Sequence, residues 1–399
     1  MLVAAVFACL LVAGGQRAIR AAEPKRVHYF DRVNVGDPPL RYFDVATDNP
    51  LSRLEKSVAD GAVVLTSQPV VGYLPDLLKA LEIPVDSQVL VVSSGSLNRR
   101  SITRRRPRAL YFRDDMVIAC VPFSSELEIA VHDAWRGTVF YSVSQERAFE
   151  LRRTSHCLGC HNTPAATTGV PAHHPRFGDD PDGQPLRKRW HGRYVSGDAP
   201  NLVHGGIPLD EKANDRASPD APPPNATAAT DRFDPSDYLS PHSDVVANLV
   251  LDHQAHVWNW IARVNTEHRL GLRSHKDTSD HLLACALLHT YQGDFDGPIP
   301  GTSDYAKWYA KQAPRDADGR SLSELDLRHR LFRYGVSPMI YSRPFQQLPG
   351  EVRQRIYTFI DEILAGARPL PGAKRTDEDR ELARAILRGT IAEYPVARK

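Results

Sequence analysis

The chain alternates between two kinds of hydrophobic pattern. In the first half, compact apolar runs rich in β-branched and aromatic residues fall at 88–92, 109–112, 116–121, 127–131, 138–143 and 148–151, with Gly, Pro, Asp and Ser between them. Runs of this length and composition predict a β-rich region of five or six short strands. In the second half the apolar positions recur at helical spacing. Val245, Val246, Leu249, Val250, Val257, Trp260, Ile261 and Val264 form one stripe. That stripe predicts a long helix over 240–268, started by Ser240-Pro241. Further helices are expected at 279–291, 303–311, 321–334, 350–365 and 376–393, with Gly366 closing one and Thr376 with three acidic residues opening the next. A short helix at 75–81 precedes the strands, whereas 27–59 carries no clear period. The fold class expected is therefore α+β, a β-rich N-terminal half followed by a helical C-terminal half.

The organisation reads as three parts: a signal peptide at 1–22, a β-rich region at 23–152, and a helical region at 153–399 that begins with a candidate cofactor motif. Residues 2–15 are apolar or small, and a more polar stretch ends at Ala21-Ala22. That run is too short for a comfortable membrane span, so no transmembrane span is expected in the mature chain. Residues 211–237 contain Pro222-Pro223-Pro224 and many small polar residues, and read as a flexible loop. The net charge of +2 over 399 residues gives no global reason to expect a nucleic-acid partner. One local cluster stands out: Arg99, Arg100, Arg104, Arg105, Arg106 and Arg108. It reads either as a solvated loop between strands or as a docking patch for an acidic redox partner.

The chemistry concentrates in Cys157-Leu158-Gly159-Cys160-His161, a C-x-x-C-H at the junction of the two halves. This is the attachment pattern of a c-type haem. Two thiols add across the two vinyl groups of a porphyrin, and the following His161 supplies an imidazole to the iron. A redox dithiol would be expected in a βαβ context, and half a zinc site would need a second ligand pair; the sequence shows neither. One covalent haem c, with its iron, is the cofactor expected. Export fits it, because this haem is attached outside the cytoplasmic membrane, and a periplasmic or otherwise exported location is expected. Of the remaining thiols, Cys120 and Cys285 sit in apolar stretches and read as buried rather than bridged.

A sixth iron ligand is less determined. Met339 follows a Pro but is far from the motif in sequence. His253 and His256 lie on the apolar stripe of the long helix. His281, Cys285 and His289 share helical spacing and read as core, as do Trp258 and Trp260. His204 lies in a Gly-flexible loop, Val203-His204-Gly205-Gly206. The order is His204, then His256, then an open or water-bound iron. A six-coordinate iron favours a periplasmic electron carrier, and an open one favours a peroxidase-like oxidoreductase or a haem-based sensor.

Several stretches resemble the large, exported, mono-haem "cytochrome c domain-containing" bacterial proteins, a family of uncharacterised role. They are Pro107-Arg108-Ala109-Leu110-Tyr111-Phe112, Gly137-Thr138-Val139-Phe140-Tyr141, the haem motif, Pro241-His242-Ser243-Asp244, the stretch 326–334, and Ile340-Tyr341-Ser342. That family tends to carry a Trp-Gly-Gly-Trp-Tyr-Val segment followed by His-x-Gly-Asn. Here these read Trp190-His191-Gly192-Arg193-Tyr194-Val195 and His204-Gly205-Gly206-Ile207, the latter without the Asn. The resemblance implies haem binding and electron transfer, and the second segment is what puts His204 first as distal ligand.

Overall fold

A computed structural model describes residues 35–36, 38–44, 46–92, 95–162, 183, 186, 189, 192–197, 233–271, 278–289, 295, 297–369 and 375–395. The fold is α+β, with an open antiparallel sheet in the N-terminal half and helices in the C-terminal half. Seven strands form the sheet: β1 (Val89–Val91), β2 (Arg108–Arg113), β3 (Met116–Cys120), β4 (Glu126–Asp133), β5 (Gly137–Ser144), β6 (Leu151–Arg153) and β7 (Arg193–Tyr194). Their spatial order is β6-β5-β4-β3-β2-β1-β7. Successive hairpins build it, except that β7 comes from beyond residues 157–161 and adds to β1 as an edge.

Alternation along the strands gives the sheet two apolar faces. One carries Leu90, Tyr111, Ile118, Ile129 and Val139, and packs with Leu51 and Leu54 of α1 (Pro50–Ala59) and Leu74, Leu77 and Leu78 of α2 (Leu74–Ala80). The other carries Val89, Val91, Leu110, Phe112 and Val117, and packs with Val245, Leu249 and Trp258 of α4 (Val245–Arg269). The far side of α4 presents Val257, Ile261 and Val264 to α5 (Thr278–Leu287), α8 (Gly350–Leu364) and α9 (Asp377–Thr390). This helix is thus apolar on both sides, which is the pattern of a buried helix. Two short helices, α6 (Tyr305–Tyr309) and α7 (Arg343–Gln346), close the flanks.

The long helix starts at Val245, later than Ser240-Pro241 suggested. Asp244 is its N-cap and is fully buried. Its Oδ1 accepts from the Val246 amide at 2.7 Å, and its Oδ2 accepts from the amides of Thr302 at 3.0 Å and Ser303 at 2.7 Å. A Cβ on Gly301 would lie 2.9 Å from that Oδ2, so the close approach needs glycine. The helix expected over 321–334 is absent. Leu325 and Phe332 are bridged, Leu327 has φ +57°, and the Asp326 carboxylate accepts from the Arg328 and His329 amides, so this stretch is a tight hairpin. A helix that carried no clear period is present instead: α1, capped by Asn49 and Ser52 and led by Pro50.

A buried histidine makes acid stability testable. His132 on β4 is 1 % exposed, and neither ring nitrogen has a hydrogen-bond partner. Burial, helped by the nearby Arg343 guanidinium, pushes its pKa down to about 3. Its folded value is depressed, so between pH 6.5 and 3 the unfolded chain takes a proton the native state refuses. Stability then falls as pH drops, by up to about 1.4 kcal/mol per pH unit from this group. The neighbouring Asp115 opposes it, because burial and then Asp114 raise its carboxyl. The comparison to make is therefore between variants. Relative to the parent, His132→Leu should gain stability progressively as pH falls below 6.5, measured by urea unfolding at several pH values. Parallel curves would contradict this.

Candidate functional site

β6 leads into the Cys157–His161 motif. It pairs with β5 through Leu151↔Val143, Arg152↔Ser142 and Arg153↔Tyr141, and the Thr154 amide continues the ladder to the Phe140 carbonyl at 3.0 Å. Arg153 also donates through Nη1 to the Tyr42 carbonyl at 2.8 Å, pinning the segment before α1 against this edge. After a turn at Ser155-His156 the chain enters one helical turn, α3 (Leu158–His161). The His161 amide donates to the Cys157 carbonyl at 2.8 Å and the Asn162 amide to Leu158 at 3.0 Å.

That turn fixes which side chains share a face. Positions i, i+3 and i+4 of a helix share a side, so 157, 160 and 161 fall at the same register of this turn. Leu158, 7 % exposed, enters the apolar cluster beneath the sheet edge and anchors the turn. A Cβ on Gly159 would meet nothing within 4 Å. Cys157 is a partly buried thiol packed against the same cluster. The His161 ring rests on Phe140, with centroids 4.6 Å apart and planes at 48°. Phe140 is held in turn by its amide, which donates to the Tyr42 hydroxyl at 3.1 Å. Burial drives that phenol well above its ordinary pKa, so it stays protonated.

No family model, no curated protein and no solved structure matches this chain.

The other candidate residues go elsewhere. Met339 is 1 % exposed and belongs to the helical cluster around α5 and α8, apart from the cluster that holds the motif. His253 is fully buried, with Nε2 at 2.6 Å from the Ser337 hydroxyl and its ring edge-on to His289 and Phe332. His256 sits edge-on to Trp260 at 6.5 Å. His281 Nε2 lies 3.5 Å from the Cys285 thiol, and His289 has left the helix at φ +53°. Cys120 and Cys285 are buried thiols, and burial pushes Cys120 up to about 12. His204, residues 1–22 and Trp190 fall outside the described residues, as does most of 211–237. Among the described residues, no group of three or more His, Cys, Asp or Glu side chains could hold a metal ion, and no helix is long and apolar enough to cross a membrane.

Sequence reasoning did not find Phe140 or Tyr42 as supports of His161. Both come from far along the chain, and neither carries a local signal. The arginine cluster lies in the β1–β2 loop and at Arg108, the first residue of β2. Asn98 ties it to the Glu126 carbonyl at 2.8 Å, and Ser96 ties it to the Glu128 carboxylate at 2.6 Å. Glu126 itself binds Arg152 of β6 at 2.5 Å. The loop is therefore anchored beside the strand that delivers the motif, with Arg99, Arg100, Arg105 and Arg106 exposed.

Proposed function

We propose that the chain is a periplasmic c-type cytochrome that carries electrons. The observation that carries this reading is the placement of Cys157, Cys160 and His161 on one side of a single helical turn. Cys157 and Cys160 would each add a thiol S–H across one vinyl group, giving two thioether bonds. His161 would offer an imidazole nitrogen as proximal ligand, its ring orientation limited by Phe140. Haem c, when bound, supplies an iron that takes up and releases one electron. Leu158 and the Phe140–Tyr42 contact keep the turn on the sheet edge while the charge changes. The exposed arginines of the β1–β2 loop would steer an acidic redox partner toward this edge.

The test is an absorption spectrum of protein co-expressed with a haem c maturation system, oxidised and reduced, with and without carbon monoxide. A covalent haem with a low-spin spectrum indifferent to carbon monoxide is expected. His204→Ala should then convert it to high spin. Protein that emerges without covalent haem would end the proposal.

A further inference from the structure

A cavity lies apart from Cys157–His161, between α4, α6 and the β2–β3 turn. Its volume is about 390 Å³, within the range of small-molecule sites. Three aromatic rings, Tyr305, Trp308 and Tyr309, form one wall. Tyr305 and Trp308 stack at 5.7 Å, and Tyr305 and Tyr309 lie 5.9 Å apart. Asp114 and Glu82 bring two carboxylates to the cavity. Asp114 is close enough that, after burial, its charge is among the causes that raise the phenols of Tyr305 and Tyr309. Glu82 is exposed. Arg113 also lines the space: its Nε is 2.9 Å from the buried Asp115 and 3.5 Å from Asp114, and its Nη1 donates to the Leu81 carbonyl at 3.0 Å. One guanidinium is thus shared between Asp114 and Asp115, and with Glu82 beside them the carboxylates still set the sign of the field.

The cavity is also bordered by Gln254 of α4, 5 % exposed. Its side-chain amide engages the Tyr309 phenol, whereas its Oε1 is buried with no hydrogen-bond partner. An unsatisfied buried acceptor is costly and attracts a donor. Aromatic faces attract cations, carboxylates attract cations, and a lone acceptor attracts an N–H. These preferences meet in one ligand class. We propose that this cavity binds a protonated primary amine with an apolar or aromatic body, its charge facing Asp114 and Glu82, its body against Tyr305, Trp308 and Tyr309, and an N–H directed to Gln254. The inference is independent of the haem reading.

Isothermal titration of the full-length protein with phenethylammonium and with the neutral 2-phenylethanol tests it. The amine is expected to bind at least about tenfold more tightly than the alcohol. Asp114→Asn and Glu82→Gln should each weaken the amine severalfold and leave the alcohol unchanged. Trp308→Leu should weaken both. Asp114 lies on a partly exposed hairpin turn, so its variant is expected to keep the parent's thermal unfolding, which serves as the folding control. Equal affinity for amine and alcohol, no binding of the amine at millimolar concentration, or an Asp114→Asn protein that binds the amine as the parent does would each overturn the proposal.

Discussion

Replacing Cys157 and Cys160 together with alanine is expected to remove all covalently attached haem from protein made with a maturation system. The reason is chemical. Thioether bonds form only at cysteine sulfur, and the other thiols in the described fold, Cys120 and Cys285, are buried in apolar surroundings. Denaturing gel electrophoresis followed by haem staining reads the result directly. The single variants should differ from the double one. Cys157→Ala or Cys160→Ala leaves one thioether, so haem should survive denaturation at lower yield with a red-shifted α band. His161→Ala should retain both bonds and change the spin state, because only the iron ligand is lost. Covalent haem in the double variant would show that the motif is not the attachment site.

The second large effect is expected at a residue with no part in redox chemistry. Asp244→Ala should lower stability by about 3 kcal/mol or more. The carboxylate is fully buried and caps α4 through Val246, and it also holds Thr302 and Ser303. Removing it strands several buried N–H donors, and each charge-assisted bond contributes about 1.5–3 kcal/mol before relaxation. A cap alone contributes about 1 kcal/mol, so a loss near that value would mean that the tie to the 302–303 segment contributes little. Asp244→Asn keeps one strong acceptor and should fall between the two. Urea unfolding followed by circular dichroism measures all three.

The legible parts of the fold were those decided by local chemistry. The strands β2 to β5 follow short apolar runs between turn residues, and α8 and α9 follow an amphipathic period with a Thr376 cap and Gly366 in the left-handed region. The Cys157–His161 pattern stands out for the same reason, since its residues are neighbours in sequence. The stretch 321–334 misled because Leu322, Leu325 and Phe332 match helical spacing, yet Asp326 and Leu327 form a turn that reverses the chain. In the other direction, α1 carried its Asn49-Pro50 start and Ser52 in plain view, but its sparse apolar positions hid the period. The supports of the site were not legible at all. Phe140 reaches His161, and Tyr42 reaches Phe140, only because β5 and β6 pair and Arg153 fastens the earlier segment across them. Such contacts are set by tertiary pairing, which no local pattern encodes.

The burial of α4 on both sides sets a schedule. A chain that emerges amino end first releases the strands and then the haem motif well before Val245 appears. Until then the face of Val89, Val91, Leu110 and Phe112 has no cover, and β7 has yet to join the edge. Cys157 and Cys160 thus emerge on an unfinished protein, and the arrival of one helix ends that interval by joining the sheet to everything downstream of it.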